Sequence, residues 1–544
     1  MRKLLIIIFF TTFTCSVFSQ EVIRDTLCGN NVRYDVTHLT VTGEIDAITF
    51  LYRFRNLPNL TYLDLSQARI VSCKITVYGY NTEQYQDNEI PNNAFFRMRT
   101  LKKVILPESV VRLGVNAFSE TQIDSIVIPS GVKYIEASAF ASCGNLRSIS
   151  LPDSLMHIGE RCFCECEELR HISLPNALRT IGANAFGKCI NLSSIRIPKK
   201  LTTIQVGTFS GCSALNKILN LDNIDSIAPY AFDGCESLVA FTIPNKISTI
   251  AKYTFHNCKS LQTIIIPKSV RQVAVGAFAG CSELTEIHIP EHLTDIGFYN
   301  YDTSKKGAFA GCSKLTSFSV AKDNHAFSAK DGIVYNKNQT VLIYCVESIN
   351  GEVTIPLSVR EIDKYAFHNS SINSIIISKN IKEIGEGAFY GCERLTSIKL
   401  PKNFKKISKM TFYGCCRLTT IEFPDSLEII GQYAFFGCRA LTDITIPNKV
   451  IAIQRDAFFI CTGLETLIIP ESVREIGSRA FDRCDRLKKI SLYWKDVNDI
   501  GEIGFYSSSE IAKNCILEVP FGTKDKYLKA EPWNYFQQIV EREQ

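Results

Sequence analysis

The sequence predicts a repeat solenoid poor in α/β layering, built mainly of short parallel β-strands joined by turns and short helical or 3-10 segments, in one curved single-domain array. Two observations carry this. A phenylalanine recurs at near-constant spacing along the 544 residues, and the residues after it repeat one apolar pattern. Residues 140–152 read F-A-S-C-G-N-L-R-S-I-S-L-P, residues 186–198 read F-G-K-C-I-N-L-S-S-I-R-I-P, and residues 435–447 read F-F-G-C-R-A-L-T-D-I-T-I-P. Seventeen such phenylalanines run from Phe95 to Phe505, nearly all at steps of 22 to 24, with two longer steps of 31 and 58 that mark insertions. A fixed period of this length is the signature of stacked units that share a core.

Each part of the unit A-F-x-x-C-x-x-L-x-x-I-x-I-P-x-x-V-x-x-I-G has a physical reading. The L-x-x-I-x-I segment alternates apolar and polar residues, which makes a short strand with one buried face. Proline ends that strand, since it cannot donate to a ladder. A second short segment closes on Ile-Gly, where glycine is expected to allow a tight corner. Ala-Phe then drives a large ring inward. At roughly 4.8 Å per strand spacing, the stack grows by one coil per repeat.

Composition narrows the function. Lys+Arg 60 against Asp+Glu 55 gives a net charge of +5, too weak a bias to point to nucleic acid. At the N-terminus, Arg2 and Lys3 precede an apolar run, Leu4 to Phe10, that is too short to span a bilayer. With Val17 and Ser19 as the small residues of a cleavage site, residues 1–19 read as an export signal cut before Gln20. The alternative is a lipoprotein signal with Cys15 lipidated, against a poor lipobox of Thr12, Phe13 and Thr14. No later apolar stretch is long enough for a transmembrane span.

The repeat unit resembles the BspA-type leucine-rich repeats of bacterial and protist surface proteins, over about residues 36–540. On that resemblance, Leu60 to Ala68 is similar to the N-terminal cap, Asp331 to Tyr344 to a β-hairpin island, and Leu517 to Phe536, with Pro520 and Trp533, to the C-terminal cap. It implies a leucine-rich-repeat fold divided as cap and first irregular repeat (20–93), solenoid (94–320, insertion about 298–306), island (321–355), solenoid (356–509) and cap (510–544). It also implies a secreted or cell-surface protein that binds host matrix proteins, glycans or other cells.

Thirteen of the 21 cysteines sit three residues after an anchor phenylalanine, from Cys143 to Cys484. Stacked coil on coil they form an inward ladder of small apolar groups. Their spacing exceeds the ~3.8 Å Cβ separation of a disulfide, so buried free thiols are expected. Cys28 and Cys73, near the N-terminal cap, are the better disulfide partners.

Other constellations weaken on inspection. Cys162, Cys164 and Cys166 suggest a metal cluster, but Cys166 belongs to the ladder and Cys162 replaces the repeat's alanine. His288 to His292 matches H-x-x-E-H, yet Pro290 holds the strand-ending slot where that motif needs a helix. No catalytic, cofactor or metal site is expected, and the chain reads as a non-enzyme.

Two surfaces compete as ligand sites. One is the outward row of the first strand, which includes Ser148, Ser194 and Thr263 and continues as Ser397, Thr420, Asp443, Thr466 and Lys489. The other is the residue after the anchor, which is aromatic in four consecutive coils: Tyr390, Tyr413, Phe436 and Phe459. These rings suit protein hot spots or sugar stacking; the plainer reading is that they fold back and cover the surface. The leading function is therefore recognition or adhesion. The alternative is a periplasmic or cell-envelope scaffold that organises other proteins.

Overall fold

The computed structural model describes residues 6–8, 36–77, 81–298, 307–497 and 509–543. The cleavage-site residues, Cys15, Cys28, Phe505 and residues 299–306 of the first insertion lie outside that set. The chain divides into two compact units, Met1–Leu284 with Asp295–Gly311, and Thr285–Thr294 with Cys312–Gln544. Each is a β-solenoid.

A coil of the first unit shows the plan. The strand Ser148–Ser150 pairs in parallel with Ser125–Val127 of the preceding coil. Its burial alternates, with Ile149 inward and Ser148 and Ser150 outward, as the period of two demands. After Pro152 comes the two-residue strand His157–Ile158, paired on both sides with Tyr134–Ile135 and Thr180–Ile181. The third side is made of turns, and it too is bonded coil to coil. The anchor Phe140 donates its N–H to Cys162 O at 2.8 Å, and Phe163 donates to Ala185 O at 2.7 Å.

The sixteen anchor phenylalanines within the described residues are all buried. They stack along each unit, at 5.0 Å and 2° for Phe118 and Phe140, and at 5.5 Å and 3° for Phe389 and Phe412. A single coil could not bury such a ring; the coils on either side supply its two faces.

Two backbone demands shape the turn side. Residues two before and two after the anchor hold positive φ, such as Arg161 (52°) and Glu165 (62°) around Phe163, or Asn184 (53°) and Lys188 (58°) around Phe186. Asparagine and glycine recur there because the left-handed region costs them least. The Ile-Gly glycine has a different role from the corner expected for it. Gly159 and Gly182 do not take positive φ; a Cβ on either would lie 2.4 Å from a backbone nitrogen of the preceding coil. Glycine is there so that two coils can approach.

The insertions and ends follow the same logic. Phe298 is buried against the anchor Phe309 at 5.9 Å. The island forms three antiparallel strands, Phe327–Lys330, Ile333–Asn336 and Val341–Cys345, and the last rejoins the second-strand ladder through Glu361–Ile362. Asn324, fully buried, donates to Pro290 O (2.7 Å) and Leu293 O (2.9 Å) and accepts from the amides of Ala326 and Phe327 (both 2.9 Å). At the N-terminal end Ile6–Ile8 pairs with His38–Ile45. At the C-terminal end Trp494 and Trp533 are buried, and Tyr527 donates its hydroxyl to Trp494 O at 2.8 Å.

Candidate ligand-binding faces

The outward row lies where strand alternation places it. Ser397, Thr420, Asp443 and Lys489 are exposed and Thr466 is half-buried. Parallel register sets Ser397 beside Thr420, Asp443 beside Thr466, and Thr466 beside Lys489. Thr466 Oγ1 donates to Asp443 Oδ1, and Lys489 reaches Glu518 at 2.7 Å. In the first unit Ser148 and Thr263 are exposed, with Ser194 half-buried. A second outward row lies two residues further along each strand. It includes Lys399 and Glu422, paired at 2.5 Å, and the exposed Thr445. The same alternation would have signalled it.

The four aromatic residues come together as one ladder. Tyr390 stacks on Tyr413 at 4.6 Å and 1°, Tyr413 on Phe436 at 4.5 Å and 4°, and Phe436 on Phe459 at 5.2 Å and 26°. His368 extends it at one end, stacked on Tyr390 at 5.2 Å. The Arg479 guanidinium closes the other, 4.9 Å from the Phe459 centroid. Arg479 is held by buried Asp456 at 2.8 Å, a contact off hydrogen-bonding angle that works through charge proximity. All four rings are half-buried. Their faces are turned to one another, so what solvent meets is ring edges and hydroxyls. A sugar ring, which stacks on an aromatic face, finds no open face within the ladder.

The first-strand ladder of the first unit is not continuous, and one of its gaps opens a cleft. Lys217–Leu219 pairs with Ser194–Arg196, and Ala240–Thr242 pairs with Thr263–Ile265, but the two pairs are not bonded to each other. A cavity of about 430 Å³ lies there, lined by Ile218, Leu221, Asp222 and Phe241 among others. Ile218 is half-buried, whereas its counterparts Ile195 and Ile264 are buried. The local cause is visible: Asn220 and Leu221 stand where other coils carry Ile-Pro, and Asn220 turns at φ 66°.

The cysteine ladder is buried, and its members include free thiols at Cys143, Cys189, Cys212 and Cys438. Their role goes beyond filling space. Thiols of the ladder donate to the anchor carbonyl of the preceding coil, as Cys166 does to Phe140 O (3.2 Å), Cys189 to Phe163 O (3.0 Å) and Cys438 to Phe412 O (3.2 Å). Burial pushes Cys143 up to about 11 and Cys212 and Cys392 up to about 12. Such thiols are poor nucleophiles. Cys162 and Cys164 are also buried, and burial raises both. Among the described residues no three His, Cys, Asp or Glu side chains converge as a ligand set. His288 lies on a strand against Ser319 Oγ at 3.0 Å, and His292 sits in the following turn beside Glu291. Among the described residues no helix is long and apolar enough to cross a membrane.

Comparison with known proteins supplies the family. The profile described as BspA type leucine rich repeat region (6 copies) matches residues 88–216, 208–330, 344–441 and 405–518. Solved structures with similar coils include a leucine-rich repeat protein from Bacteroides ovatus ATCC 8483, 23% identical over 82% of this chain and 98% of that one, with a TM-score of 0.39. A leucine rich cell surface protein from Faecalibacterium prausnitzii A2-165 is 25% identical over 77% and 86%, with a TM-score of 0.40. The pneumococcal vaccine antigen PcpA is 18% identical over 87% and 97%, with a TM-score of 0.45. No curated protein matches the chain. The profile covers well over half of the sequence, and the chain belongs to the BspA-type leucine-rich-repeat family.

Proposed function

We propose that the protein is an exported, non-catalytic recognition module that binds matrix proteins, glycans or other cells at a bacterial surface. The observation that carries this reading is the outward row of the first strands. Ser397, Thr420, Asp443, Thr466 and Lys489 stand on strands fixed by backbone pairing, one coil apart, so a partner meets a polar surface that is already ordered. Preorganisation lowers the entropy cost of binding, which suits recognition of extended partners. The ladder Tyr390, Tyr413, Phe436 and Phe459 contributes through ring edges and the two hydroxyls.

The test is binding of the purified protein to a panel of matrix proteins, mucins and glycans. A saturable partner whose affinity falls in a Ser397→Arg/Thr420→Arg variant supports the reading. A blank panel, combined with protection of the protein from protease added to intact cells, would replace it with an envelope scaffold.

A further inference from the structure

After the strand-ending residue of each coil, the chain turns a corner whose side chains vary from coil to coil. In three successive coils of the second unit this corner is cationic: Arg360, then Lys379 and Lys382, then Lys402 and Lys405. The next coil reverses sign, with Asp425 and Glu428 in the same slots. Single coils elsewhere carry cations in these slots, such as Lys199 and Lys200 or Lys268 and Arg271, whereas here three coils in a row do so.

A cavity of about 600 Å³ opens there, and Arg360, Lys379 and Lys382 all reach it, beside Asn403 and Ser358. Lys382 N donates to Arg360 O at 2.7 Å, so their side chains emerge from adjacent coils, roughly 4.8 Å apart. The three cations are exposed, and among the described residues none forms an ion pair. Cations just beyond the cleft behave differently. Lys405 bridges Glu428 at 2.8 Å, and Lys409 bridges Glu386 at 2.9 Å. The three cleft cations therefore remain available to an anionic ligand, whereas Lys405 and Lys409 are already paired with carboxylates.

We propose that this cleft binds a sulfated polysaccharide. Two ammonium groups and one guanidinium, spaced along a rigid edge, suit a row of oxyanions on a polymer. The apolar complement is Leu357, whose exposure of 67% leaves it open to the C–H face of a sugar ring. Single-stranded nucleic acid is disfavoured because no aromatic ring lines the cleft for a base to stack on. A lipid surface is disfavoured because one leucine is not the apolar face that membrane docking needs. The assignment rests on the recognition reading above and gives it a ligand class, at a site separate from the outward row.

The experiment measures binding of the full chain to heparin, fully desulfated heparin, polyphosphate, duplex DNA and anionic phosphatidylserine vesicles. The expected result is salt-sensitive binding to heparin that weakens at least about tenfold in Arg360→Gln/Lys379→Gln/Lys382→Gln. A control, Lys199→Gln/Lys200→Gln/Lys246→Gln, is expected to bind as the parent does, and circular dichroism should show both variants folded. Equal heparin binding by the parent and the cleft variant would overturn the proposal. Polyphosphate, DNA or vesicles bound as tightly as heparin, with the same loss in the cleft variant, would overturn the sulfated-polysaccharide assignment. A protein that binds a matrix protein but ignores heparin refutes the cleft alone. One that binds only heparin, through the cleft, refutes the outward row instead.

Discussion

Replacing Phe435 by alanine removes a ring that the coils above and below both use. Phe435 is fully buried, stacked on Phe412 at 5.2 Å and Phe458 at 5.0 Å, and met edge-on by Phe423 at 5.8 Å. Core Phe→Ala changes cost about 3–5 kcal/mol, and the spread depends on how far the site can collapse. Collapse is restrained here, because Phe435 N is bonded to Ala457 O at 2.7 Å and Phe412 N to Ala434 O at 2.8 Å. The expected loss is therefore about 4–5 kcal/mol, with each lost aromatic pair counted within it at ~0.5–1.5 kcal/mol. Phe435→Leu should cost less, about 1–2 kcal/mol, since most of the volume survives. Equilibrium urea unfolding followed by circular dichroism gives the totals. Because coils couple to nearest neighbours, amide exchange should accelerate around Phe412 and Phe458 and stay unchanged in the first unit. A loss under about 1 kcal/mol, or exchange that accelerates equally everywhere, would refute the shared-core account.

Three further outcomes follow from particular residues. Cys438→Ala removes the thiol bond to Phe412 O but leaves that carbonyl its bond from Cys415 N at 3.1 Å, so the cost should be about 1–2 kcal/mol, read from urea midpoints. His368 is held neutral by burial, its pKa lowered from 6.5 to about 4. The unfolded chain then binds the proton first, so stability is full above 6.5 and falls as pH drops toward 4. The loss is at most about 3 kcal/mol, lessened by the attraction of a protonated ring to Tyr390; His368→Phe should flatten that part of the stability–pH curve. Ile460 is β-branched at φ 61°, where neighbouring coils carry Gly414 and Gly437 and another carries Asn369. Ile460→Asn should raise stability by about 1 kcal/mol in thermal unfolding.

What the sequence made legible follows from what the repeat constrains. Anchors, first strands and the cysteine ladder each require one residue type at one spacing, so the period exposes them. The left-handed positions flanking each anchor were not legible. They constrain φ and tolerate Arg161, Tyr253 or Met410 as well as asparagine and glycine, so no single residue type repeats. The glycine after Ile was seen but misassigned, because close approach between coils cannot be told from a tight corner in one dimension. The aromatic stripe was legible as a row. That its rings face one another depends on side-chain orientation, which spacing does not encode. The cleft at Ile218 had a signal, the missing Ile-Pro at Asn220 and Leu221, and the cationic corner had one in Lys379, Lys382 and Lys402, although both are short departures within a strong pattern.

The central claim is that the outward row of the first strands is the recognition surface. Its most direct test is binding of the parent protein and of Ser397→Arg/Thr420→Arg to the same captured partner, with matched urea midpoints to show equal folding. The account predicts saturable binding by the parent and at least about a tenfold loss in the variant, as expected for bulk and charge placed at the centre of an interface. Equal binding by both proteins would contradict it and move the site to another face of the coil.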